Sequence, residues 1–384
     1  MGPPMRARWG VVVPAAVLAL VAASCGSSST TGSGNSGRAV KVGFFGALTG
    51  TNSPQLGINI DNGVKLAVQQ YNAKGQGPKV ALVPYDSQGN PAQAPQLAQK
   101  VITDHTVALV GPAFSGESKM ADPILQQGHI VNVTPSATSP GLASHGWTYW
   151  HRGVGSDNAQ GPAAATYIAD KLNDKRVAVI DDNSEYGKGI ADIVASSLPT
   201  SGATVPVRDH IDPKVTGYSA TVKDINAGNV DAVFFGGYYQ QAGLLVKQLR
   251  DAGNKAAFVS DDGTNDPGFV AAAGPAAAGS YVTCPCVPTP STPAGQAFTT
   301  AYQSAANTAP GTYSAQGFDA ANFILAAIRA GNTSGKAINS YLARHSYNGV
   351  LGTLRFNAQG EINAPPVEAY QVQNGSFDPV GVTS

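Results

Sequence analysis

From Ala39 onward, short continuous apolar runs alternate with longer stretches in which apolar residues recur every three or four positions. The runs read as strands buried on both faces, and the periodic stretches as helices lying over them. Val40-Lys41-Val42-Gly43-Phe44-Phe45 predicts a strand, and Ile60 to Ala73 a helix with Val64, Ala67, Val68 and Tyr71 on one face. Strands follow over Val80 to Pro84, Val107 to Val110 and Ile130 to Val133, with helices over Ala92 to Asp104 and Ser118 to Gln127. Strand and helix in strict turn, with short loops, make a parallel sheet covered on both faces.

The pattern then restarts. Helices over Gly161 to Leu172, Gly187 to Leu198, Ser219 to Ala227 and Gln241 to Ala252 alternate with strands over Arg176 to Asp181, Thr204 to His210, Ala232 to Phe235 and Ala256 to Ser260. Two later helices, Phe318 to Ala330 and Gly335 to Ser346, have no strand partners nearby and should cap the first unit. Thr353 to Phe356 and the alternating Val367 to Val372 read as strands. The expected fold is therefore α/β, with two doubly wound parallel-sheet lobes joined by a multi-strand hinge. Crossings are expected near 155–158, 284–293 and 350–354, the second because proline interrupts regular structure. This gives lobe I as 39–157 plus 284–349, and lobe II as 158–283 plus 350–384.

The first 24 residues have a different character. Arg6 and Arg8 precede an uncharged, mostly apolar run from Trp9 to Ala23. It is short for a membrane span and has the layout of a secretory signal. Ala22-Ala23-Ser24 before Cys25 resembles a bacterial lipobox, which would make Cys25 the lipidated first residue of the mature chain; cleavage without lipidation is the alternative. Residues 25–38 are mostly Ser, Thr and Gly, the composition of a flexible tether. The expected location is extracytoplasmic, anchored to the cell membrane through Cys25. The other two cysteines form Cys284-Pro285-Cys286, which fits either a disulfide in an oxidising exterior or a pair of thiols.

Charge narrows the function. Only 12% of the 384 residues are charged, and 24 basic residues balance 24 acidic ones. No basic stripe suits nucleic acid. The six histidines are scattered, and no cluster with the ligand count of a metal site appears. Neither a Gly-x-Ser-x-Gly elbow nor a phosphate-binding glycine loop is present. No cofactor, metal or enzymatic activity is expected. Asp181-Asp182 ends a strand and reads as a solvated or hinge-facing polar pair.

The ordered segments Val42 to Gly50, Val110-Gly111-Pro112, Thr134 to Pro140, Glu185 to Gly189, Gly236-Gly237-Tyr238 and Asp261-Asp262-Gly263 carry a resemblance. Over residues 39–375 the chain resembles bacterial leucine/isoleucine/valine-binding proteins, the extracytoplasmic receptors of ABC importers with the type I periplasmic-binding fold. The resemblance implies that Ser115 and the loop Ser136-Ala137-Thr138 hold a ligand carboxylate. Helix N-termini supply free N–H groups for such an anion, and Ser139-Pro140 looks like an N-cap with proline at the first helical position. Ordinary capping is the other reading of Ser115 and Thr138.

The same resemblance puts a ligand ammonium at Asp262, where the family usually has glutamate; Asp262-Gly263 also suits a plain turn. Tyr186 and Tyr238 match aromatic positions at the cleft edge. Tyr313 fits either a pocket wall or packing, and Leu56 and Phe114 alter the pocket's shape. Trp150 reads as core. The implied function is capture of a branched-chain or similar amino acid by hinge closure, with delivery to an ABC permease by a monomer. The alternative is a receptor module for an amide, urea-like or aromatic-acid ligand.

Overall fold

The computed structural model describes Gly2, 39–286, 288–363 and 365–382. The expected signal segment, tether and Cys25 lie outside the described residues. Residues 38–384 form one compact unit.

The first sheet uses β1 (Val40–Gly46), β2 (Val80–Asp86), β3 (Ala108–Val110), β4 (Val131–Thr134) and β5 (Trp150–Arg152), in the order β2-β1-β3-β4-β5. All its pairings are parallel. The connecting helices are α1 (Pro54–Lys74), α2 (Ala94–Thr103) and α3 (Ser115–Gln127). Pro84 sits in β2, an edge strand, where a missing N–H breaks no ladder. Helix α1 begins six residues before the predicted start. Gly57 lets it begin there, because a Cβ at that position would meet the Ala47 carbonyl oxygen at 1.8 Å.

The second unit runs through α4 (Asp157–Thr166), β6 (Arg176–Asp181), α5 (Glu185–Ser197), β7 (Thr204–His210), α6 (Ser219–Ala227), β8 (Ala232–Gly236), α7 (Tyr239–Asp251), β9 (Ala257–Ser260), α8 (Pro267–Ala273) and β10 (Tyr281–Cys284). The chain continues through α9 (Pro293–Ala306), α10 (Ser314–Arg329), α11 (Gly335–Leu342), the ribbon β11 (Tyr347–Gly349) and β12 (Gly352–Leu354), and the hairpin β13 (Glu368–Gln373) and β14 (Ser376–Val382). The second sheet has the order β14-β13-β10-β9-β8-β6-β7. It is mixed rather than purely parallel, since β13 pairs antiparallel with both β10 and β14. Its opposite edge, β7, is half exposed and carries Pro206, which limits further strand pairing.

The central strands β6 and β8 bury their apolar runs on both faces, as Val-Ala-Val-Ile and Ala-Val-Phe-Phe predict. Helix α10 packs along α1 and also meets α11 and β3, so the late helices cover the first sheet. Almost all of α10 is buried, including Asp319, whose carboxylate accepts the amides of Val350 at 2.9 Å and Leu351 at 3.0 Å. Burial raises the Asp319 pKa to about 6, against the lowering effect of those two amides. Trp150 is buried beside Ala137 and Leu142, the core position expected of it. Asp181 and Asp182 are not solvated: both are buried. Asp181 pairs with Arg208 at 2.5 Å, while Asp182 accepts the Ser184 amide at 2.9 Å.

Candidate functional site

In parallel sheets ligands gather outside the carboxyl ends of the strands, where the loops leave them. The loop after β1 leads to Leu56, that after β3 to Phe114 and Ser115, and that after β4 to Ser136-Ala137-Thr138. In the second sheet β6 leads to Tyr186, β8 to Tyr238 and β9 to Asp262. Leu56, Phe114, Ser115, Ser136, Tyr186, Tyr238, Asp262 and Tyr313 line one pocket together with Ala113 and Gly263. Ala137 and Thr138 are fully buried in the loop beside it rather than in its lining. The free volume is about 10 Å³, room for roughly one water. The cleft is closed in this conformation, and a ligand larger than water enters only when the walls part.

Contacts across the two sets of loops hold that closure. The Phe114 and Tyr238 rings meet edge to face across the cleft with centroids 5.3 Å apart, and within the second set Tyr186 backs Tyr238 at 5.4 Å. At the rim, Lys119 of α3 pairs with Glu185 of α5 at 2.7 Å. The Ser53 amide donates to Gln240 Oε1 at 3.2 Å. A half-exposed ion pair contributes at most about 1 kcal/mol, so the aromatic contacts matter more.

Ser115 Oγ accepts the Ser139 amide at 3.2 Å, which ties the start of α3 to the β4 loop. Ser139 itself makes no capping bond, contrary to its Ser-Pro appearance: a short 3-10 turn over Pro140–His145 follows it, and its amide is spent on Ser115. Ser136 Oγ donates to the Ala113 carbonyl at 2.6 Å, and the Ala137 amide donates to Thr134 Oγ1 at 3.0 Å. Thr138 Oγ1 is buried and faces the Asp157 carboxyl without a well-formed hydrogen bond.

Asp262 is buried. Its Oδ1 accepts the Tyr186 hydroxyl at 2.7 Å, and its Oδ2 accepts the Tyr313 hydroxyl. Gly263 is required by the close approach there: a Cβ would meet the Gly237 carbonyl oxygen at 2.4 Å. Burial raises the Asp262 pKa, against the pull of the Tyr313 and Tyr186 hydroxyls and Gln160.

Two neighbouring carboxylates were missed in the sequence. Asp157, the first residue of α4, is fully buried, with the Thr138 hydroxyl facing it but no well-formed hydrogen bond to either oxygen. Burial and then the Asp262 charge push its pKa well above the carboxylate range, against Thr138 and Arg152. Asp261 is likewise raised, by burial and then by Asp262, although its Oδ2 accepts the Gly237 amide at 2.9 Å. Arg152 is the cation that acts on Asp157, but it is already engaged. Its guanidinium pairs with Glu361 and donates to the carbonyls of Ser139 at 2.8 Å and Ala137 at 3.3 Å. It therefore braces the Ser136–Ser139 loop from β5. The only local hint of Asp157 was its place in a polar Ser-Asp-Asn at a hinge crossing.

Cys284 and Cys286 are bridged at the end of β10. Among the described residues no group of His, Cys, Asp and Glu could hold a metal ion, and no helix is long and apolar enough to cross a membrane.

A family model described as periplasmic binding protein matches residues 39–376. The chain belongs to the periplasmic binding protein family. This is a family of solute-binding proteins, not enzymes. A Leu/Ile/Val-binding protein of Citrobacter freundii is 31% identical over 325 residues, covering 84% of this chain and 88% of its own. The Leu/Ile/Val-binding protein BraC3 of Rhizobium johnstonii is 37% identical over 246 residues, covering 64% of this chain and 67% of its own. Among solved structures, the branched-chain amino acid transporter substrate-binding protein LivJ of Streptococcus pneumoniae, in complex with isoleucine, superposes with a TM-score of 0.82 at 27% identity. That match covers 90% of this periplasmic binding protein and all of LivJ.

Proposed function

We propose that this protein captures a branched-chain or similar amino acid between its lobes, closes over it, and hands it to an ABC importer. The observation that carries the reading is the pair of buried carboxylates, Asp157 and Asp262. Asp157 has no well-formed hydrogen bond, with only the Thr138 hydroxyl facing it, and the cation acting on it is committed to Glu361. A buried carboxyl so weakly partnered is costly to ionise. An α-ammonium between Asp157 and Asp262 relieves both.

The ligand's carboxylate then falls on Ser115 and the Thr138 amide, near the N-terminus of α3, the Ala137 amide being engaged by Thr134 Oγ1. Leu56, Phe114, Tyr186, Tyr238 and the ring of Tyr313 are left for the aliphatic side chain. A ligand that touches both lobes binds the closed state better than the open one and shifts the population toward closure. The names of the relatives support the ligand class, since they are Leu/Ile/Val-binding proteins.

In this reading the chain acts as a monomer outside the cytoplasm, held by a lipid on Cys25, and presents its closed form to a permease. The experiment is titration calorimetry on protein stripped of ligand by unfolding and refolding. Leucine, isoleucine and valine should bind at micromolar concentrations or below. Binding of an amide or an aromatic acid in their place would overturn the assignment. Metabolic labelling with palmitate tests the anchor: label should appear on the native protein and vanish in Cys25→Ser.

A further inference from the structure

Arg152 ends β5 shortly before Asp157 begins α4. The Asp157 amide donates to the Thr138 carbonyl at 3.0 Å, so both residues border the loop that faces the ligand. Burial and the Asp262 charge raise the Asp157 pKa, while Thr138 and the Arg152 charge act against them. A fixed cation in this position competes with a ligand's ammonium. Whatever charge Arg152 lends to Asp157 is lost to the ligand.

The guanidinium is turned away from that role. Its Nε, at 3.3 Å, and its Nη2 both donate to the Glu361 carboxylate, the forked arrangement that suits a guanidinium. Its Nη1 donates to the carbonyls of Ser139 and Ala137, and the Trp150 ring centroid lies 5.2 Å from its central carbon. Neither Asp157 oxygen receives a well-formed bond from it.

The chain delivers Glu361 to this position with a pinned turn. The Asn357 side chain accepts the amides of Gln359 at 2.9 Å and Glu361 at 3.0 Å, and the Gly360 amide donates to the Asn357 carbonyl at 3.0 Å. Gly360 has φ +78°, and a Cβ there would meet the Trp150 carbonyl oxygen at 2.4 Å, so the turn lies directly against β5. The Arg152 amide donates to the Gly360 carbonyl at 2.8 Å. The Glu361 side chain is 20% exposed and that of Arg152 is fully buried, so an acid reaches in from the surface to meet a buried cation.

We propose that Glu361 is a specificity-determining positioning residue, which holds the Arg152 charge on the far side of β5 and so keeps Asp157 free for an α-ammonium. This inference rests on the amino-acid reading of the cleft. Without the Glu361 charge, Arg152 is an uncompensated buried cation. It then neutralises Asp157, and Asp262 alone is left to meet the ammonium.

The test compares native protein, Glu361→Gln and Arg152→Gln/Glu361→Gln by calorimetry with L-leucine and with 4-methylpentanoate, which is leucine without its amino group. Native protein should prefer leucine strongly. Glu361→Gln should lose at least tenfold of that preference. The double variant removes both charges and should recover it, even where both ligands bind more weakly because the loop has lost its brace. Loosening of the loop alone weakens both ligands together and leaves the preference unmoved.

An unchanged preference in Glu361→Gln, or an equal loss in the double variant, overturns the proposal while leaving the amino-acid site intact. Native protein with no preference for leucine overturns the underlying reading instead. Should Glu361→Gln fail to give a cooperative thermal transition, infrared difference spectra of ligand-free native protein against Asp157→Asn, near neutral pH, carry the test. They should show the C=O band of a protonated carboxyl. Carboxylate bands in its place would mean that Arg152 already neutralises Asp157, and the proposal would fail.

Discussion

Replacing Asp157 with asparagine removes a carboxyl that burial holds protonated in the empty cleft, with little change of shape. Both carboxyl oxygens are buried without a well-formed hydrogen bond, so little native contact beyond the facing Thr138 hydroxyl is at stake. Two opposite effects follow. Without ligand, the fold is relieved of the cost of protonating and burying that carboxyl, and stability should rise by about 1–3 kcal/mol. With ligand, the ammonium loses a charged partner. Such truncations cost about 2–5 kcal/mol. The lower half applies here, because asparagine still offers one acceptor and Asp262 remains.

A loss of about 2–3 kcal/mol weakens leucine binding roughly 30- to 150-fold. The two effects separate in thermal unfolding with and without ligand. At about one hundred times the native Kd, ligand adds about 2.7 kcal/mol to native protein; a roughly fiftyfold weaker variant gains only about 0.6 kcal/mol at the same concentration. Calorimetry supplies the Kd directly. A variant that binds leucine as tightly as native protein, or that is less stable without ligand, refutes the reasoning.

Because burial raises the pKa of both Asp157 and Asp262 in the empty cleft, and the Asp262 charge adds to the rise at Asp157, an ammonium should lower them. Binding near neutral pH then releases protons: affinity is full above the empty-cleft values and falls as pH drops through them. Buffers of different ionisation enthalpy read the release, and a Kd that is flat from about pH 8 to about pH 4 contradicts it. Glu117 is buried in α3 and raised to about 8, burial outweighing the Ser87 hydroxyl and the amides of Phe114 and Ala113. The unfolded chain ionises first, so stability falls as pH rises from about 4.5 to about 8, on the order of 5 kcal/mol in all. Glu117→Gln should flatten that slope in urea unfolding and be the more stable form at about pH 8. Arg152→Ala removes a buried guanidinium and orphans Glu361 and the carbonyls of Ala137 and Ser139. It should destabilise the fold by about 3–5 kcal/mol, and loss of less than about 1 kcal/mol in the same assay would show that the brace is not needed.

Most strands of both sheets were legible because parallel strands buried on both faces are written as unbroken apolar runs, as in β6 and β8. Elements without that contrast were not. Helix α9 is built on Ala, Ser, Thr and Gly, with Phe298 and Tyr302 as its buried anchors, and it follows a proline-rich run that reads as loop. Strands β10 and β14 are short or polar and owe their state to neighbours distant in sequence, β9 and β13. The pocket residues were legible where they follow a recognisable strand end, as Ser115, Tyr238 and Asp262 do. Asp157 was not, since its meaning lies in a juxtaposition with Asp262 across 105 positions of chain that only folding creates. Arg152 hid for the same reason, its partner Glu361 lying 209 residues away.

The central claim is that the cleft between the lobes recognises an α-ammonium through Asp157 and Asp262. Leucine and 4-methylpentanoate share carboxylate and side chain and differ only in that group. Titrated into refolded, ligand-free protein, leucine should bind at micromolar concentrations or below, and 4-methylpentanoate at least a hundredfold more weakly. Equal affinities for the two would mean that the buried carboxylates are not a recognition site, and the account of this cleft would fail.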